Sequence, residues 1–394
     1  MDEILNLHIN EMAGIEFDCS CGRRHSFPIR HLHIGPGALL ELPDVLKPFL
    51  GKKLFVFGDS NTFQAAGERV LKLLAEAGHD FDGFWFQTSE NEALIPDESA
   101  LGRLLMEMGD AELILGVGSG TINDLGKFIS RKTGRPHIIV CTAPSMDGYV
   151  SDSSALTNAG RKISYPSTLP FAVIADAEIL KNAPPRLLQA GFGDVLGKLT
   201  ALADWRLSKE LTGEYYCESC VKLVQKALDA VIQNVDAIRE RRDEGIDYLI
   251  QALVLTGVAM SLVGVSRPAS GAEHMLSHHW EMDFQKRGQF AELHGIKVGV
   301  ATPVAAELFE LLKEEIPAEA LALAPSSAEC ERLLLAVDAP VSPKDVHISR
   351  ELFQRSLHEA YTIRKRYSIL QLAVEKGRME EIASAMADRI YGKI

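Results

Sequence analysis

The chain has 394 residues, of which 54 are Asp or Glu and 41 are Lys or Arg, so its formal net charge is −13 at pH 7. This acidic balance argues against a nucleic-acid-binding surface, which needs a basic patch. Apolar residues make up 46% of the chain and charged residues 24%, which excludes wholesale disorder. The length predicts roughly two or three domains.

The first half of the chain alternates apolar strand patterns with helical ones. The predicted strands are 53–58, 81–87, 112–118, 137–141 and 171–175, and the predicted helices are about 61–77, 98–108 and one that begins near residue 120. Strands that alternate with helices form parallel sheets with both faces covered, so we expect an α/β fold here.

The pattern changes at Pro184 and Pro185, where two consecutive prolines favour a domain boundary. Apolar residues then recur at spacings of three and four between 221 and 238, which predicts a helix with one buried face. Further helices are predicted at 249–265 and from about 351 to 390. We therefore predict a Rossmann-like nucleotide-binding domain over residues 1–183 and an all-helical domain over residues 184–394, with a ligand cleft between them.

Membrane insertion and export are not expected. A membrane-spanning helix needs about 18 unbroken apolar residues, and the longest candidate, 252–265, is interrupted by four small polar residues or glycines. The N-terminus has Asp2 and Glu3 where a signal peptide would have a basic flank. Six cysteines are too few for a disulfide scaffold, so a cytoplasmic protein is predicted.

A glycine-rich turn runs from Gly116 to Asp124, between a predicted strand and a predicted helix. Glycines there let the backbone approach a phosphate, and the helix N-terminus offers free N–H groups. The turn matches neither the Rossmann fingerprint nor a Walker A loop, so a tight turn that needs glycine for its shape is the alternative. Asp59, at the end of the first predicted strand, is placed either to bind a ribose or to cap a helix.

A polar loop, Thr142 to Asp152, follows the predicted strand 137–141. The carboxyl edge of a parallel sheet is where open α/β folds bind ligands. Thr142 and Ser145 could bond a cofactor amide, and Asp147 could hold a substrate hydroxyl. Ordinary turn chemistry is the alternative.

The helical half concentrates histidines. His274, His278, His279 and His294 lie within 21 residues, and the first two are four apart, on one face of a predicted helix. Asp194 opens the same half of the chain. One carboxylate and two imidazoles can hold a divalent cation and leave positions open for a substrate, so a metal or acid–base site is expected.

Two cysteine patterns give weaker signals. Cys19, Cys21 and His25 could bind a structural metal but have no obvious fourth ligand in the sequence. Cys217 and Cys220 have CxxC spacing, but they lie in helical sequence with no second pair nearby. Neither pattern alone predicts a site.

Together and in this order, the motifs resemble those of the sn-glycerol-1-phosphate dehydrogenase family, and of its bacterial branch in particular. That family belongs to the dehydroquinate-synthase-like and iron-type alcohol dehydrogenase group. The matching stretches are 118–124, 142–152, 191–194, 266–274 and 293–295.

The resemblance implies a metal-dependent, NAD(P)-linked reduction of dihydroxyacetone phosphate to sn-glycerol 1-phosphate, in which a metal polarises the ketone. It implies Asp194, His274 and His294 as metal ligands. It also implies Asp147 and His278 as catalytic residues that bind substrate together with Asp194. The implied nucleotide-binding residues are Asp59, Gly118, Ser119, Gly120, Thr121, Ile122, Thr142, Ala143, Pro144, Ser145 and Ser151.

Several finer expectations accompany the resemblance. One carboxylate and two imidazoles suit nickel or zinc, and Asp59 would repel a 2′-phosphate, which favours NAD over NADP. Lys162, Lys198 and Arg267 are candidates to bind the substrate phosphate. The family also implies a homodimer and a role in phospholipid synthesis.

Three alternatives stay open at this point. The same fold could support a dehydrogenase for glycerol or another polyol, or a dehydroquinate-synthase-like lyase that uses NAD only transiently. A non-catalytic nucleotide-binding protein is the third alternative, although Asp194 and three of the histidines form a complete metal and acid–base set that argues against it.

Overall fold

A computed structural model describes residues 3–88 and 94–393. Its strands are β1 Glu16–Asp18, β2 Arg24–Ser26, β3 His31–Gly35, β4 Lys53–Asp59, β5 Asp80–Phe86, β6 Leu113–Gly118, β7 His137–Cys141, β8 Ser153–Asn158, β9 Arg161–Pro166 and β10 Ala172–Asp176. The helices up to residue 180 are α1 Glu3–Asn6, α2 Leu42–Leu46, α3 Ser60–Thr62, α4 Glu68–Glu76, α5 Glu98–Glu107, α6 Gly120–Thr133 and α7 Ala177–Leu180.

The predicted parallel sheet is confirmed. Within the described residues it has six strands in the order β3-β10-β7-β6-β4-β5, and every neighbouring pair is parallel. All residues of β6, β7 and β10 are buried, as expected for strands covered on both faces. The chain passes from β4 to β5 on one side and returns to β6 on the other, so the switch point of the sheet lies between the ends of β4 and β6.

Five strands were not predicted from the sequence. β3 adds to one edge of the sheet, and β1–β2 and β8–β9 form two antiparallel hairpins. β1 and β2 have three residues each, and β9 has no buried residue. Neither hairpin therefore shows a clear alternation of apolar and polar side chains along both of its strands.

From residue 185 onward the described chain is helical. The helices are α8 Pro185–Leu196, α9 Lys198–Thr212, α10 Glu218–Gln233, α11 Val235–Arg239, α12 Asp243–Val263, α13 Ala272–Lys286, α14 His294–Leu311, α15 Ala318–Leu321, α16 Ser327–Ala336, α17 Arg350–Glu359, α18 Ile369–Glu375 and α19 Met379–Tyr391. The further helices predicted for the tail are α17, α18 and α19, and residues 364–368 form a loop between the first two of them.

Two glycines of α8 allow close packing where the helix meets its neighbours. A Cβ on Gly191 would lie 1.8 Å from the carbonyl oxygen of Pro144, and one on Gly193 would lie 2.4 Å from the carbonyl oxygen of Gly295. Only glycine fits these contacts, so α8 carries the next residue, Asp194, into the space between the sheet and α14.

The helix α12 is long and apolar enough to cross a membrane by length and composition alone. Its most apolar window has a mean hydropathy of 1.8, and 72% of that window is buried inside the protein. The helix packs against α10 and α8 and contributes to the largest apolar core. Its burial and packing therefore identify α12 as a core helix of the fold.

Candidate active site and metal-binding residues

The turn between β6 and α6 lies at the switch point of the sheet. β6 ends at Gly118, α6 begins at Gly120, and Ser119 stands between them. A Cβ on Gly118 would lie 2.4 Å from the side chain of Ile122, so this glycine is required by close packing. Ile122 is buried, which leaves its backbone N–H as the group that could meet a ligand, whereas Thr121 is partly exposed.

Asp59 ends β4 and caps the short helix α3. Its Oδ1 accepts a hydrogen bond of 2.9 Å from the backbone N–H of Thr62. The structure therefore shows Asp59 as a helix cap, which was one of its two predicted roles. Asp59 also lies at the carboxyl end of β4, beside the switch point, which is the position from which it was predicted to bind a ribose.

Side chains of α6 hold the loop 142–152 in place. The Lys127 ammonium is buried and donates to the carbonyls of Gly148 and Ser153, at 2.9 and 2.6 Å, and to the hydroxyl of Ser151 at 3.0 Å. Asn123 donates to the carbonyls of Gly148 and Tyr149. Lys127 therefore shapes the loop, and Ser151 is one of its anchors.

The start of the same loop lies against the glycine turn. The N–H of Thr142 donates to the carbonyl of Gly118 at 3.1 Å, and the hydroxyl of Tyr149 donates to the carbonyl of Ala143 at 2.6 Å. Thr142, Ala143, Pro144 and Ser145 are all buried or nearly so. The structure thus brings the predicted nucleotide-binding residues of both segments to one edge of the sheet.

Asp147 joins the loop to the helical half. Its backbone N–H donates to Asp194 Oδ2 at 3.0 Å. The ammonium of Lys198 lies 2.7 Å from Asp147 Oδ2 and 2.7 Å from Asp194 Oδ1, and its side chain is fully buried. Lys198 therefore bridges two buried carboxyl groups and offsets the repulsion between them.

Asp194, His274 and His294 come from three different helices. Asp194 lies in α8, His274 in the first turn of α13, and His294 is the first residue of α14. One donor atom from each lies within 4.8 Å of the others. The structure thus brings together the three residues that the sequence analysis singled out as metal ligands.

A buried carboxylate orients His274. The Nδ1–H of His274 donates to Glu273 Oε1 at 2.7 Å, which leaves Nε2 free on the side of Asp194 Oδ1, 3.7 Å away. Glu273 is itself held by the N–H of Gly271 at 2.6 Å and by the hydroxyl of Thr200 at 2.7 Å. Histidines that bind metals commonly have such a carboxylate partner, because it fixes the tautomer.

The protonation states suit a cation site. Burial, with neighbouring cationic or imidazole groups, lowers the pKa of His274 and of His294 well below its usual value, so both rings are neutral and can donate a lone pair. Burial and the carboxylate of Asp194 raise the pKa of Asp147. Burial would lower the pKa of Lys198, but Asp147 and Asp194 outweigh it and hold that pKa above its usual value.

His278 lies one turn beyond His274, and its ring stacks on that of His294 with centroids 5.5 Å apart. Its Nε2 is 3.2 Å from the guanidinium of Arg364. Burial and Arg364 together lower the pKa of His278 well below its usual value. His279, in contrast, pairs with Glu359 at 3.1 Å and is not among the grouped metal donors.

The three predicted phosphate partners are already engaged. Lys198 bridges two carboxylates, Lys162 pairs with Glu281 at 2.8 Å, and the buried Arg267 pairs with Glu214. Arg267 also donates to the carbonyl of Tyr367 at 3.0 Å. Each of these cations has its counter-charge inside the protein.

Sequence reasoning missed two arginines in the loop 364–368. Arg364 donates to the hydroxyls of Ser266 and Ser270, both at 3.2 Å, and Arg366 donates to the Ser266 hydroxyl at 2.6 Å. Among the described residues, neither guanidinium forms a salt bridge with a carboxylate. Burial and then the neighbouring guanidinium groups lower the pKa of Arg366 to about 9, and burial lowers that of Arg364. The run Arg-Lys-Arg in an acidic protein was the available signal.

These residues fit both groups that the fold suggests. Two neutral imidazoles and one carboxylate, with a carboxylate behind His274, form a donor set suited to a divalent transition metal. The glycine turn and the N-terminus of α6 at the switch point suit a nucleotide pyrophosphate. Asp147 lies between the loop that contacts the glycine turn and the three grouped donor residues.

Two comparisons show that the fold is that of the iron-containing alcohol dehydrogenases. The sequence model of the family described as iron-containing alcohol dehydrogenase matches residues 33–184. The structure is similar to that of an iron-containing alcohol dehydrogenase from Corynebacterium glutamicum, with a TM-score of 0.69 and 18% identity, over 91% of this chain and 96% of that one. At this identity the likeness shows the fold.

Sequence relatives define the family more narrowly. The chain is 33% identical over 389 residues to the protein named glycerol-1-phosphate dehydrogenase [NAD(P)+] of Halalkalibacterium halodurans, covering 93% of this chain and 98% of the relative. It is 34% identical over 362 residues to the protein of the same name in Methanosarcina mazei, covering 90% and 94%. The chain therefore belongs to the glycerol-1-phosphate dehydrogenase family, as the motifs indicated.

Proposed function

We propose that this protein is an NAD(P)-dependent dehydrogenase that interconverts dihydroxyacetone phosphate and sn-glycerol 1-phosphate. The observation that carries the proposal is the grouping of Asp194, His274 and His294 beside Asp147, between the sheet edge and two arginines without carboxylate partners among the described residues. Relatives of the same family name cover nearly the whole chain.

The nucleotide is assigned to the carboxyl edge of the sheet. The N–H groups of residues 118–122 would bind the pyrophosphate, and the loop from Thr142 to Ser145 would contact the nicotinamide. Asp59 would bond the ribose hydroxyls and repel a 2′-phosphate. We therefore expect NAD to be preferred over NADP.

The substrate phosphate is assigned to Arg364 and Arg366. Their side chains are half-buried and lie near each other, and an anion between the two guanidinium groups would relieve their repulsion. Arginine also matches the oxygens of a phosphate with paired hydrogen bonds. Arg364 contacts His278, so a phosphate bound there lies near the metal-donor residues.

Asp194, His274 and His294 would hold the metal, and we prefer nickel or zinc. When bound, the metal supplies Lewis-acid polarisation of the substrate carbonyl. Lys198 lies 2.7 Å from a carboxylate oxygen of Asp147 and of Asp194, and it holds both side chains in place. Asp147 would accept a hydrogen bond from a substrate hydroxyl and so orient the carbonyl carbon towards the nicotinamide.

The reduction adds one hydride from the nicotinamide to carbon and one proton to oxygen. We assign the proton transfer to His278. Its pKa is lowered by burial and by the cation of Arg364, and a phosphate bound to Arg364 offsets the second of these effects. Substrate binding would therefore raise the pKa of His278 and allow it to carry the proton that the oxygen receives.

The test is NADH consumption with dihydroxyacetone phosphate, followed by stereochemical analysis of the product. We expect one NADH oxidised for each sn-glycerol 1-phosphate formed. Turnover of glycerol in preference to glycerol phosphates would favour a polyol dehydrogenase. Product formation without net NADH consumption would favour a lyase, and no turnover of any substrate by folded, metal-loaded protein would overturn the proposal.

A homodimer, a cytoplasmic location and a role in phospholipid synthesis stay predictions. All six cysteines are free, which is compatible with a reducing compartment.

A further inference from the structure

The N-terminal hairpin brings together another group of metal-donor side chains, which shares no residue with the active-site group. Cys19 and Cys21 lie in the turn between β1 and β2, and His25 lies in β2. Cys217, which immediately precedes α10, joins them although it is 198 positions from Cys19. One donor atom from each of the four residues lies within 4.8 Å of the others. The fourth ligand that the sequence did not reveal is therefore supplied by the helical half.

The distances in this cluster match the edges of a metal-centred tetrahedron. Zinc–sulfur bonds of about 2.3 Å and zinc–nitrogen bonds of about 2.0 Å require donor separations of roughly 3.5–3.8 Å. Cys19 Sγ lies 3.7 Å from Cys217 Sγ. His25 Nε2 lies 3.3 Å from Cys21 Sγ and 3.4 Å from Cys217 Sγ. Thiols that only fill a core would need neither this spacing nor an imidazole nitrogen aimed at two of them.

The surroundings fix the donor atoms as they do in structural metal sites. His25 is 1% exposed, and its Nδ1–H donates to the carbonyl of Leu262 at 2.6 Å, so the lone pair is on Nε2, facing the sulfurs. The hydroxyl of Tyr215 is 3.1 Å from Cys21 Sγ, and the hydroxyl of Ser219 is 3.4 Å from Cys19 Sγ. Both can donate to thiolates.

The backbone around the first two cysteines is also shaped for such a site. The N–H of Gly22 donates to the carbonyl of Cys19 at 3.0 Å, and the N–H of Cys19 donates to the carbonyl of Arg23 at 3.0 Å. Gly22 has φ +84°, which glycine adopts without strain. This tight turn presents both sulfurs on the side that faces Cys217.

We propose that Cys19, Cys21, His25 and Cys217 form a structural zinc site that fastens the N-terminal hairpin to the helical half. Three thiolates and one imidazole are a closed donor set typical of structural zinc, with no position left for a substrate. The zinc would also fix the segment 214–217. Glu214 in that segment pairs with Arg267. Arg267 in turn donates a hydrogen bond to the carbonyl of Tyr367, which belongs to the arginine loop, residues 364–368.

The first experiment measures zinc per chain in the full-length protein and in two variants. Cys21→Ser should lose one equivalent of zinc. Cys330→Ser removes another cysteine, which is buried in α16 and is not part of the cluster, and should retain it. Equal zinc content in the wild-type protein and in Cys21→Ser would overturn the proposal.

A second measurement does not depend on whether Cys21→Ser folds. Wild-type protein loaded with Co²⁺ should show thiolate-to-cobalt charge-transfer absorption and the intense ligand-field bands of a tetrahedral site. The other donor groups among the described residues contain no sulfur, so the charge-transfer signal reports on the cysteine cluster. Absence of this absorption in folded, cobalt-loaded protein, or a disulfide between Cys19 and Cys217 found by mass spectrometry in protein purified under reducing conditions, would overturn the proposal.

Discussion

Two of the metal-donor groups in the described residues differ in composition and surroundings: Asp194, His274 and His294 at the active site, and Cys19, Cys21, His25 and Cys217 at the N-terminal hairpin. The active-site group has one carboxylate and two imidazoles, and a buried lysine, a third histidine and two arginines stand around it. The hairpin group has three sulfurs and one imidazole, surrounded by hydroxyls and apolar side chains. Three ligands leave room for a substrate, whereas four close the coordination sphere. The difference separates a site built for reaction from a site built to hold two segments together.

Replacing a ligand of the active-site group should have the largest effect on turnover. We expect His274→Ala to reduce kcat/KM for dihydroxyacetone phosphate on the order of 10³-fold or more, because carbonyl polarisation is lost. The cobalt–thiolate absorption of the hairpin site should remain. The measurement pairs steady-state kinetics with cobalt spectra, and full activity in the variant would contradict the ligand assignment.

The arginine loop should control substrate binding without affecting the nucleotide. Arg364→Ala or Arg366→Ala should raise KM for dihydroxyacetone phosphate by about 10- to 100-fold, which corresponds to the loss of hydrogen bonds to a charged group. The Kd for NADH, measured by fluorescence, should change little. Arg332→Ala serves as the matched control, since Arg332 is a surface residue that, within the described chain, pairs with Glu329 of its own helix. An unchanged KM in both arginine variants would exclude this phosphate site.

The carboxylate behind His274 should affect metal retention. Glu273→Gln keeps the shape of the side chain but removes the charge that orients the imidazole. We expect the affinity for the active-site metal to fall about 10- to 100-fold. Titration of chelator-stripped protein with Ni²⁺ or Zn²⁺, read as recovered activity, measures this change. The zinc in the hairpin site should be unaffected, so equal losses at both sites would indicate general destabilisation.

The smallest effect concerns the nucleotide. Asp59→Asn retains a side chain that can cap α3 but removes the negative charge, so the ratio of kcat/KM for NADPH over NADH should rise by roughly tenfold at unchanged Tm. Asp59→Ala should change the same ratio and also lower the Tm, because the cap is lost. A change in Tm alone, with no change in the ratio, would leave Asp59 as a capping residue only.

The parallel core of the sheet could be predicted from the sequence for a physical reason, and the three residues proposed as metal ligands lie together in the structure. Strands buried on both faces, such as β7, are short unbroken apolar runs, and β7 was predicted with its observed bounds. The chemistry of Asp194 and His274 is visible in residue type and spacing. Only the structure shows that α8 packs against α14, which brings Asp194 to His294, and that α13 packs against α14, which brings His274 to the same point.

Features that depend on tertiary contacts could not be predicted in the same way. The hairpins are too short or too polar for a clear alternation. The arginine loop interrupts a stretch whose pattern is helical on both sides. The cysteine cluster joins residues from Cys19 to Cys217, and neither half contains four ligands by itself. Spacing along a chain reveals a site only when all of its ligands are near one another in sequence.

The most direct test titrates metal back into chelator-stripped protein while three quantities are followed. They are NADH oxidation with dihydroxyacetone phosphate, the metal bound per chain, and the fraction of the bound metal that the cysteine cluster holds. We predict that turnover rises with occupancy of the Asp194, His274 and His294 site and saturates at one equivalent there. Filling of the cysteine cluster alone should give no turnover. Turnover in protein whose active-site ligands hold no metal, or turnover that follows the cysteine-bound fraction, would contradict the division between the two sites.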